Sequence, residues 1–208
     1  PGSADPPAAK ATTKPSPLLR ASIKIRKAGD EVEAEPGFFE GDTVAHCGPT
    51  LKGEFARTVN LTDVHLGWVF TRSVRNNAQV HVLSALKAGV TVIPFEVTGL
   101  DFDNGSEFLN HDVITWAAQM QIFFTRSRPY KKNDQAWVEQ KNGAIVRRLV
   151  GYGRLSGTAA TKALAQLYAS SRLYINFFQP SFKLKSKTRD GARVQTVYFT
   201  PATPCDRL

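Results

Sequence analysis

Cysteine is scarce in this chain, and long apolar stretches are absent. Cys47 and Cys205 are the only cysteines among 208 residues, and they form no Cys-x-x-Cys pair. This gives no support for a zinc finger, an iron–sulfur cluster or a disulfide scaffold, and it fits a reducing compartment. No run of eighteen apolar residues occurs, and the N-terminus lacks the apolar region of a signal peptide. We therefore expect a cytoplasmic protein with no membrane span.

Acidic residues are also few relative to basic ones. The chain has 18 Asp and Glu against 27 Lys and Arg, which gives a net charge of +9. An excess of this size predicts a polyanionic partner such as nucleic acid, because the summed charge attracts phosphates at long range. Charge alone carries no sequence specificity, and it would suit an anionic membrane surface equally well.

Composition divides the chain into three parts. Residues 1–35 are rich in Pro, Ala, Ser and Thr at first and then mixed in charge, which predicts a flexible tail leading into an extended arm. Residues 36–180 carry the apolar periodicity of a single domain. Residues 181–208 begin with a stretch rich in Lys and Arg, which predicts a solvent-exposed basic tail.

The central part has the pattern of an α/β domain. Three β-branched and aromatic runs separated by glycine-containing turns predict consecutive antiparallel strands. Two further strands follow, alternating with segments of helical periodicity. The predicted strands cover 38–47, 55–62, 68–74, 95–102 and 121–125, and the predicted helices cover 77–88, 106–120, 134–150 and 159–178.

Three carboxylates fall where this pattern could bring them together. Asp42 lies within the first strand, Asp103 follows the fourth, and Glu139 comes in a helix with 35 residues (104–138) between it and Asp103. Ligands at strand ends of an α/β sheet lie at the crevice where such folds bind substrates. Carboxylate oxygens are preferred by Mg²⁺ and Mn²⁺, and two such ions can stabilise both oxygens of a phosphoryl displacement. We therefore predict that these residues are catalytic metal ligands.

Other polar residues near this set have simpler explanations. Asp101 could share a strand face with Asp103, which makes it a reserve ligand. Glu107 is expected in the first turn of a helix, where a negative charge is favoured, and Asp134 is expected to be an N-cap. Four residues share the predicted helix face of Glu139, namely Gln135, Asn142, Gly143 and Val146, and two small or polar residues among them leave room there for DNA.

A basic segment surrounds the predicted catalytic glutamate. Residues 121–155 contain eight Lys and Arg against two acidic residues. A charge run of this kind is usually only a solvated face, but here it flanks Glu139. We predict phosphate contacts by five of these residues, which are Arg126, Arg128, Lys131, Lys132 and Lys141.

Three segments together resemble the integrase-core (DDE) transposases of bacterial insertion sequences. They are residues 37–42, the Asp-Asn-Gly-Ser-Glu-Phe segment at 103–108 with Glu139 spaced after it, and residues 124–135. These enzymes are relatives of retroviral integrases. The resemblance implies a ribonuclease-H-like fold with a mixed five-stranded sheet, three strands antiparallel and two parallel, and an integrase catalytic core over residues 36–180. It also implies two Mg²⁺ or Mn²⁺ ions with substrate bound.

The activity implied by the resemblance is DNA strand cleavage at element ends and strand transfer into a target duplex, without a covalent protein–DNA link. Such proteins act as homo-oligomers on paired ends, here on nucleoid DNA in the bacterial cytoplasm. They carry an N-terminal helix-turn-helix region that this sequence does not contain, so we expect a catalytic-core fragment. Two alternatives remain: a ribonuclease-H-like nuclease that only hydrolyses, and a non-catalytic core that is kept for DNA binding.

Overall fold

The computed structural model describes residues 17–26, 34–129 and 132–208. The predicted order of strands and helices from residue 38 to residue 178 is present, with shifted boundaries. The strands are β1 (Lys24–Arg26), β2 (Phe38–Ala45), β3 (Arg57–Asp63), β4 (Val69–Val74), β5 (Gly99–Phe102), β6 (Phe123–Ser127), β7 (Leu184–Asp190) and β8 (Arg193–Tyr198). The helices are α1 (Pro17–Ser22), α2 (Gln79–Val92), α3 (His111–Gln119), α4 (Ala136–Lys141), α5 (Arg148–Val150) and α6 (Gly157–Phe178).

The central sheet confirms the predicted α/β fold and adds one strand. Its order is β1-β6-β5-β2-β3-β4, with β2, β3 and β4 antiparallel and β2, β5 and β6 parallel. The sixth strand, β1, pairs in parallel with β6. The predicted five-stranded sheet is therefore corrected to six strands, because β1 covers an edge that would otherwise expose unpaired backbone groups.

The predicted N-terminal arm thus belongs partly to the domain. Ile23 and Arg26 are buried, and α1 precedes them in the described residues. Residues 1–16 and 27–33, the remainder of the predicted tail and arm apart from 34–35, lie outside the described residues.

Apolar side chains cover both faces of the sheet. On one face, Leu61, Phe70 and Leu100 belong to a large buried cluster that includes residues of α2 and α3. On the other face, smaller clusters join α6 to β4 and to the segment after β2. Gly41 in β2 allows this packing, because a Cβ at that position would overlap the Phe102 ring.

Two predicted helices differ from the prediction, one in where it begins and the other in how regular it is. Helix α3 begins at His111, and Asn110 is its N-cap, accepting a 3.1 Å hydrogen bond from the Val113 amide. Residues 103–110 form turns instead of the predicted first helical turns.

The predicted helix 134–150 consists of a 3₁₀ turn (Lys132–Gln135), α4, a π-helical segment (Asn142–Arg147) and α5. Single π-helical turns are rare and occur often at functional sites.

The predicted basic tail contains regular structure. Strands β7 and β8 pair as an antiparallel hairpin, and Gly191 between them has the positive φ of 57° that its turn requires. A 3₁₀ turn (Cys205–Arg207) follows, and the Arg207 guanidinium donates to the Leu66 carbonyl at 3.0 Å. The Asp190-Gly191 pair is a hairpin signal that the charge-based prediction overlooked. No helix in the described residues is long and apolar enough to cross a membrane.

Candidate active site

The sheet brings Asp42 and Asp103 together. Strands β2 and β5 are parallel neighbours, and Gly41 lies opposite Phe102, so the two aspartates come next on adjacent strands. Burial and then the Asp103 carboxylate raise the pKa of Asp42 from 3.8 to about 7, and Glu107 adds to this. The pKa of Asp103 is also raised, by burial first and then by Glu107, although its side chain keeps contact with solvent. Their electrostatic coupling indicates that the two carboxylates form one site.

Glu107 is the third carboxylate at this site, and the helix-end explanation for it is wrong. It lies in the turns before α3 and accepts a 3.2 Å hydrogen bond from the Thr43 hydroxyl. The Arg57 guanidinium is 3.6 Å from the Glu107 carboxylate and donates to Thr43 at 2.9 Å. The turn at Gly105 folds Glu107 back toward Asp103, which is the sequence signal that could have placed it here.

Glu139 is not grouped with the two aspartates in the described parts of this structure. Its side chain is exposed on α4 and forms no hydrogen bond or ion pair with the side chains or backbone of the described residues. Within residues 17–26, 34–129 and 132–208, no three His, Cys, Asp or Glu side chains are grouped so that they could hold a metal ion. Two of the three predicted ligands are therefore adjacent, and the role of Glu139 stays a prediction.

Asn142, three residues after Glu139, connects its helix to the site. The Asn142 amide nitrogen donates to Asp42 at 2.7 Å, and the Asn142 amide oxygen accepts from the Asn60 side chain at 2.8 Å. Asn60 is the β3 partner of Asp42 in the sheet. Asn142 therefore fixes one Asp42 oxygen instead of only leaving room for DNA, while the Thr43 amide binds the other at 2.6 Å.

Asp42 and Asp103 fit a hard divalent cation. Both supply carboxylate oxygens, the ligands that Mg²⁺ and Mn²⁺ prefer. Their raised pKa values show that each negative charge is destabilised, in part by another carboxylate. A cation bound between them would offset this repulsion, and Glu107, which raises the pKa of both aspartates, is a further source of carboxylate oxygens beside them.

A buried ion network lies two residues before the aspartates on the same strands. Arg26 is 2% exposed and donates to Glu40 at 2.9 Å, and the Arg26 guanidinium is 3.7 Å from Asp101. Asp101 is fully buried and accepts a 2.6 Å hydrogen bond from Thr125. The hypothesis of Asp101 as a reserve metal ligand is therefore wrong, because its carboxylate is enclosed among protein donors.

The same network holds the start of α4. Glu40 accepts from the Val138 amide at 3.0 Å, and Arg26 donates to the Asp134 carbonyl at 3.3 Å. Burial raises the pKa of Glu40 to about 7 and that of Asp101 to about 6, against the lowering effects of hydrogen bonds and of Arg26. The helix that carries Glu139 is thus anchored to three strands of the sheet by buried charges.

The predicted phosphate-binding residues mostly contact protein. Arg126 donates to the Arg20 carbonyl and to Asn104, at 3.0 and 3.2 Å. Arg128 forms two 2.7 Å hydrogen bonds to Asp134, which is therefore an ion-pair partner and not an N-cap. The pKa of Lys141 is lowered by burial and then by Arg207. Lys131 and the side chain of Lys132 lie outside the described residues, so phosphate binding by this group stays a prediction.

Comparison with known proteins identifies the class of this fold. Residues 33–132 match the model of the integrase core domain. The chain is 15% identical to the catalytic core domain of BIV integrase, with a TM-score of 0.52 over 70% of this chain and 86% of that one. It is 16% identical to the HTLV-2 integrase catalytic core domain, solved in a dimeric form with magnesium. The TM-score for that structure is 0.54, and the match covers 72% of this chain and 92% of that one. The chain therefore has the ribonuclease-H-like fold of these integrase catalytic cores, and its residues 33–132 resemble the integrase core domain.

A more similar sequence is that of the uncharacterized protein y4rM from Sinorhizobium fredii strain NGR234. It is 50% identical over 192 residues, which are 92% of this chain and 55% of that protein. This chain therefore spans about half the length of that relative.

Proposed function

We propose that this chain is the catalytic core of a bacterial DNA transposase, acting as a homo-oligomer in the cytoplasm on nucleoid DNA. The observation that carries the proposal is the coupled pair Asp42 and Asp103 on neighbouring strands of an integrase-core fold. The substrates are element ends and a target duplex, in agreement with the chain's excess of 27 basic over 18 acidic residues.

Asp42 and Asp103 would hold the divalent cations, Mg²⁺ or Mn²⁺. The chemistry that such ions supply when bound is Lewis-acid activation of the attacking oxygen and stabilisation of the leaving oxygen. Asn142 and the Thr43 amide orient Asp42, so that its carboxylate keeps one position as substrate enters. Arg57 partly neutralises Glu107 beside the two ligands.

Glu139 would complete the ligand set when metal and DNA are bound. Catalytic contacts are often long in the absence of substrate and tighten in the complex, and the exposed position of Glu139 here agrees with this pattern. Its helix is held to Asp42 by Asn142, one helical turn away, and this limits the change that is required.

The test is a DNA cleavage and joining assay on the purified chain with Mn²⁺. We expect nicking of a duplex and joining of a donor 3′-end to a target, and we expect no nicking from Asp103→Asn with DNA binding retained. Asp190→Asn, on the exposed hairpin, is the matched control and should retain activity. Nicking by Asp103→Asn equal to that of the unmodified chain would overturn the assignment.

The same assay separates the alternatives. Cleavage without joining identifies a nuclease that only hydrolyses. DNA binding without cleavage identifies a non-catalytic core, which is the alternative favoured by the separation of Glu139 from the aspartates in the described residues.

A further inference from the structure

A cleft that three basic side chains line lies between the edge strand β4 and α6. Its volume is about 330 Å³, and it is separate from the Asp42 and Asp103 site. Its polar lining residues are Thr71, Arg72 and Ser73 on β4 and Thr161, Lys162 and Arg172 on α6. Among the described residues that line it there is no Asp or Glu.

The three basic residues of this cleft have no acidic partner in the described parts of the chain. Arg72 and Lys162 are exposed, and Arg172 lies over the Phe70 ring at 5.0 Å. Burial and then the nearby Arg72 lower the pKa of Arg172, which shows that the two guanidinium groups repel each other. An anion bound between the two guanidinium groups would offset this repulsion.

Thr71 supplies an independent observation. Its side chain is 2% exposed, and its hydroxyl has no hydrogen-bond partner among the described residues. A buried hydroxyl without a partner is costly, so native structures rarely leave one. An acceptor oxygen in the cleft would satisfy it.

We propose that this cleft binds a phosphate group, through the Arg72 and Arg172 guanidinium groups, Lys162 and the Thr71 hydroxyl. Guanidinium groups bind phosphate oxygens in pairs, lysine adds a point charge, and the hydroxyl donates one directional hydrogen bond. The small Ala165 and Ala169 side chains of α6 leave the space open.

The cleft lies near the active site. Thr71 pairs with Asn60 across β3 and β4, and Asn60 pairs with Asp42 across β2 and β3. Two strand spacings separate Thr71 from Asp42, or about 10 Å. The phosphate could therefore belong either to the backbone of bound DNA or to a free anion such as inorganic phosphate.

The experiment measures binding of inorganic phosphate by the full chain, with sodium chloride of equal ionic strength as the reference. At a tenfold excess over Kd, we expect phosphate to raise the melting temperature by about 3 to 5 °C. Arg72→Gln should weaken phosphate binding at least about tenfold through loss of a charged hydrogen bond, and Thr71→Val should weaken it by a smaller factor. Lys87→Gln, which removes one exposed charge on α2, should leave it unchanged.

Binding to a short DNA duplex identifies the source of the phosphate. If DNA supplies it, Arg72→Gln lowers duplex affinity more than Lys87→Gln, and inorganic phosphate competes. If a free anion supplies it, the two variants bind the duplex with the same affinity. In that case only Lys87→Gln keeps the rise in melting temperature that inorganic phosphate produces. Both results support the site, whereas no phosphate effect beyond chloride, or an equal effect in Arg72→Gln, overturns it. Neither result depends on DNA cleavage.

Discussion

Replacing Asp42 by Asn should stabilise the fold in the absence of metal. The Asp42 carboxylate is negatively charged at pH 8 although burial and the Asp103 and Glu107 carboxylates disfavour that charge. Asparagine has the same shape without the charge. Its amide has one acceptor oxygen where the carboxylate has two, so either the Thr43 amide or Asn142 loses an acceptor.

The magnitude follows from the pKa of Asp42. Tenfold in a protonation constant is about 1.4 kcal/mol, so a pKa raised from 3.8 to about 7 corresponds to about 4 kcal/mol. Solvent screening of this partly exposed group and the lost hydrogen bond reduce the gain to about 2 kcal/mol. For a domain of this size, we expect a melting temperature about 4 to 8 °C higher.

The dependence on pH gives the prediction its sign. Because the folded pKa of Asp42 is raised, the folded state binds a proton more readily than the unfolded state. The contribution of Asp42 protonation to the free energy of unfolding is complete below pH 3.8 and is lost as the pH rises through about 7. The advantage of Asp42→Asn should therefore be absent near pH 4, grow up to pH 7 and stay constant above it.

Urea unfolding at pH 4 to 8.5 with EDTA measures this effect. Asp190→Asn, which removes an exposed hairpin carboxylate, is the control and should change stability little. If Asp42→Asn is no more stable than the unmodified chain at pH 8, the inferred repulsion between the carboxylates is refuted.

Three further predictions concern the metal, the buried network and the third ligand. Millimolar Mg²⁺ or Mn²⁺ should raise the melting temperature of the unmodified chain but not that of Asp103→Asn, because the ion binds only the native site; an equal rise in both would contradict a site at this position. Arg26→Met should lower the free energy of unfolding by about 3 to 5 kcal/mol in urea titrations, because the Glu40 and Asp101 carboxylates stay buried without their cation. A loss below about 1 kcal/mol would refute this. Glu139→Gln should abolish DNA nicking while Glu107→Gln retains it, and the opposite result would make Glu107 the third ligand.

Much of the fold and part of the site follow from local sequence patterns. Alternating β-branched and aromatic residues indicated the strands that became β2 to β6, and these strands form the predicted antiparallel and parallel pairs. Asp42 was predicted within the first strand and Asp103 at the end of the fourth, and the parallel pairing of these two strands brings the residues side by side. These inferences need only a residue, its near neighbours and the alternation of a strand.

Helix boundaries were less predictable because several residues compete for the same role. Ser106 and Asn104 could each have capped a helix, but Asn110 is the N-cap of α3. Glu107 consequently lies beside Asp103 and not in a helix. The choice depends on how the turn packs against Thr43 and Arg57, which the local sequence does not specify.

The sequence by itself determined the strand and helix content, the excess of positive charge and two of the carboxylates at the site. Only the tertiary structure decided that Arg26 pairs with Glu40 and Asp101, that Asn142 binds Asp42, and that β4 and α6 enclose a basic cleft. The physical reason is distance along the chain. These contacts join residues 14 to 101 positions apart, and their energies depend on burial and on neighbouring charges that exist only after the sheet and helices have packed.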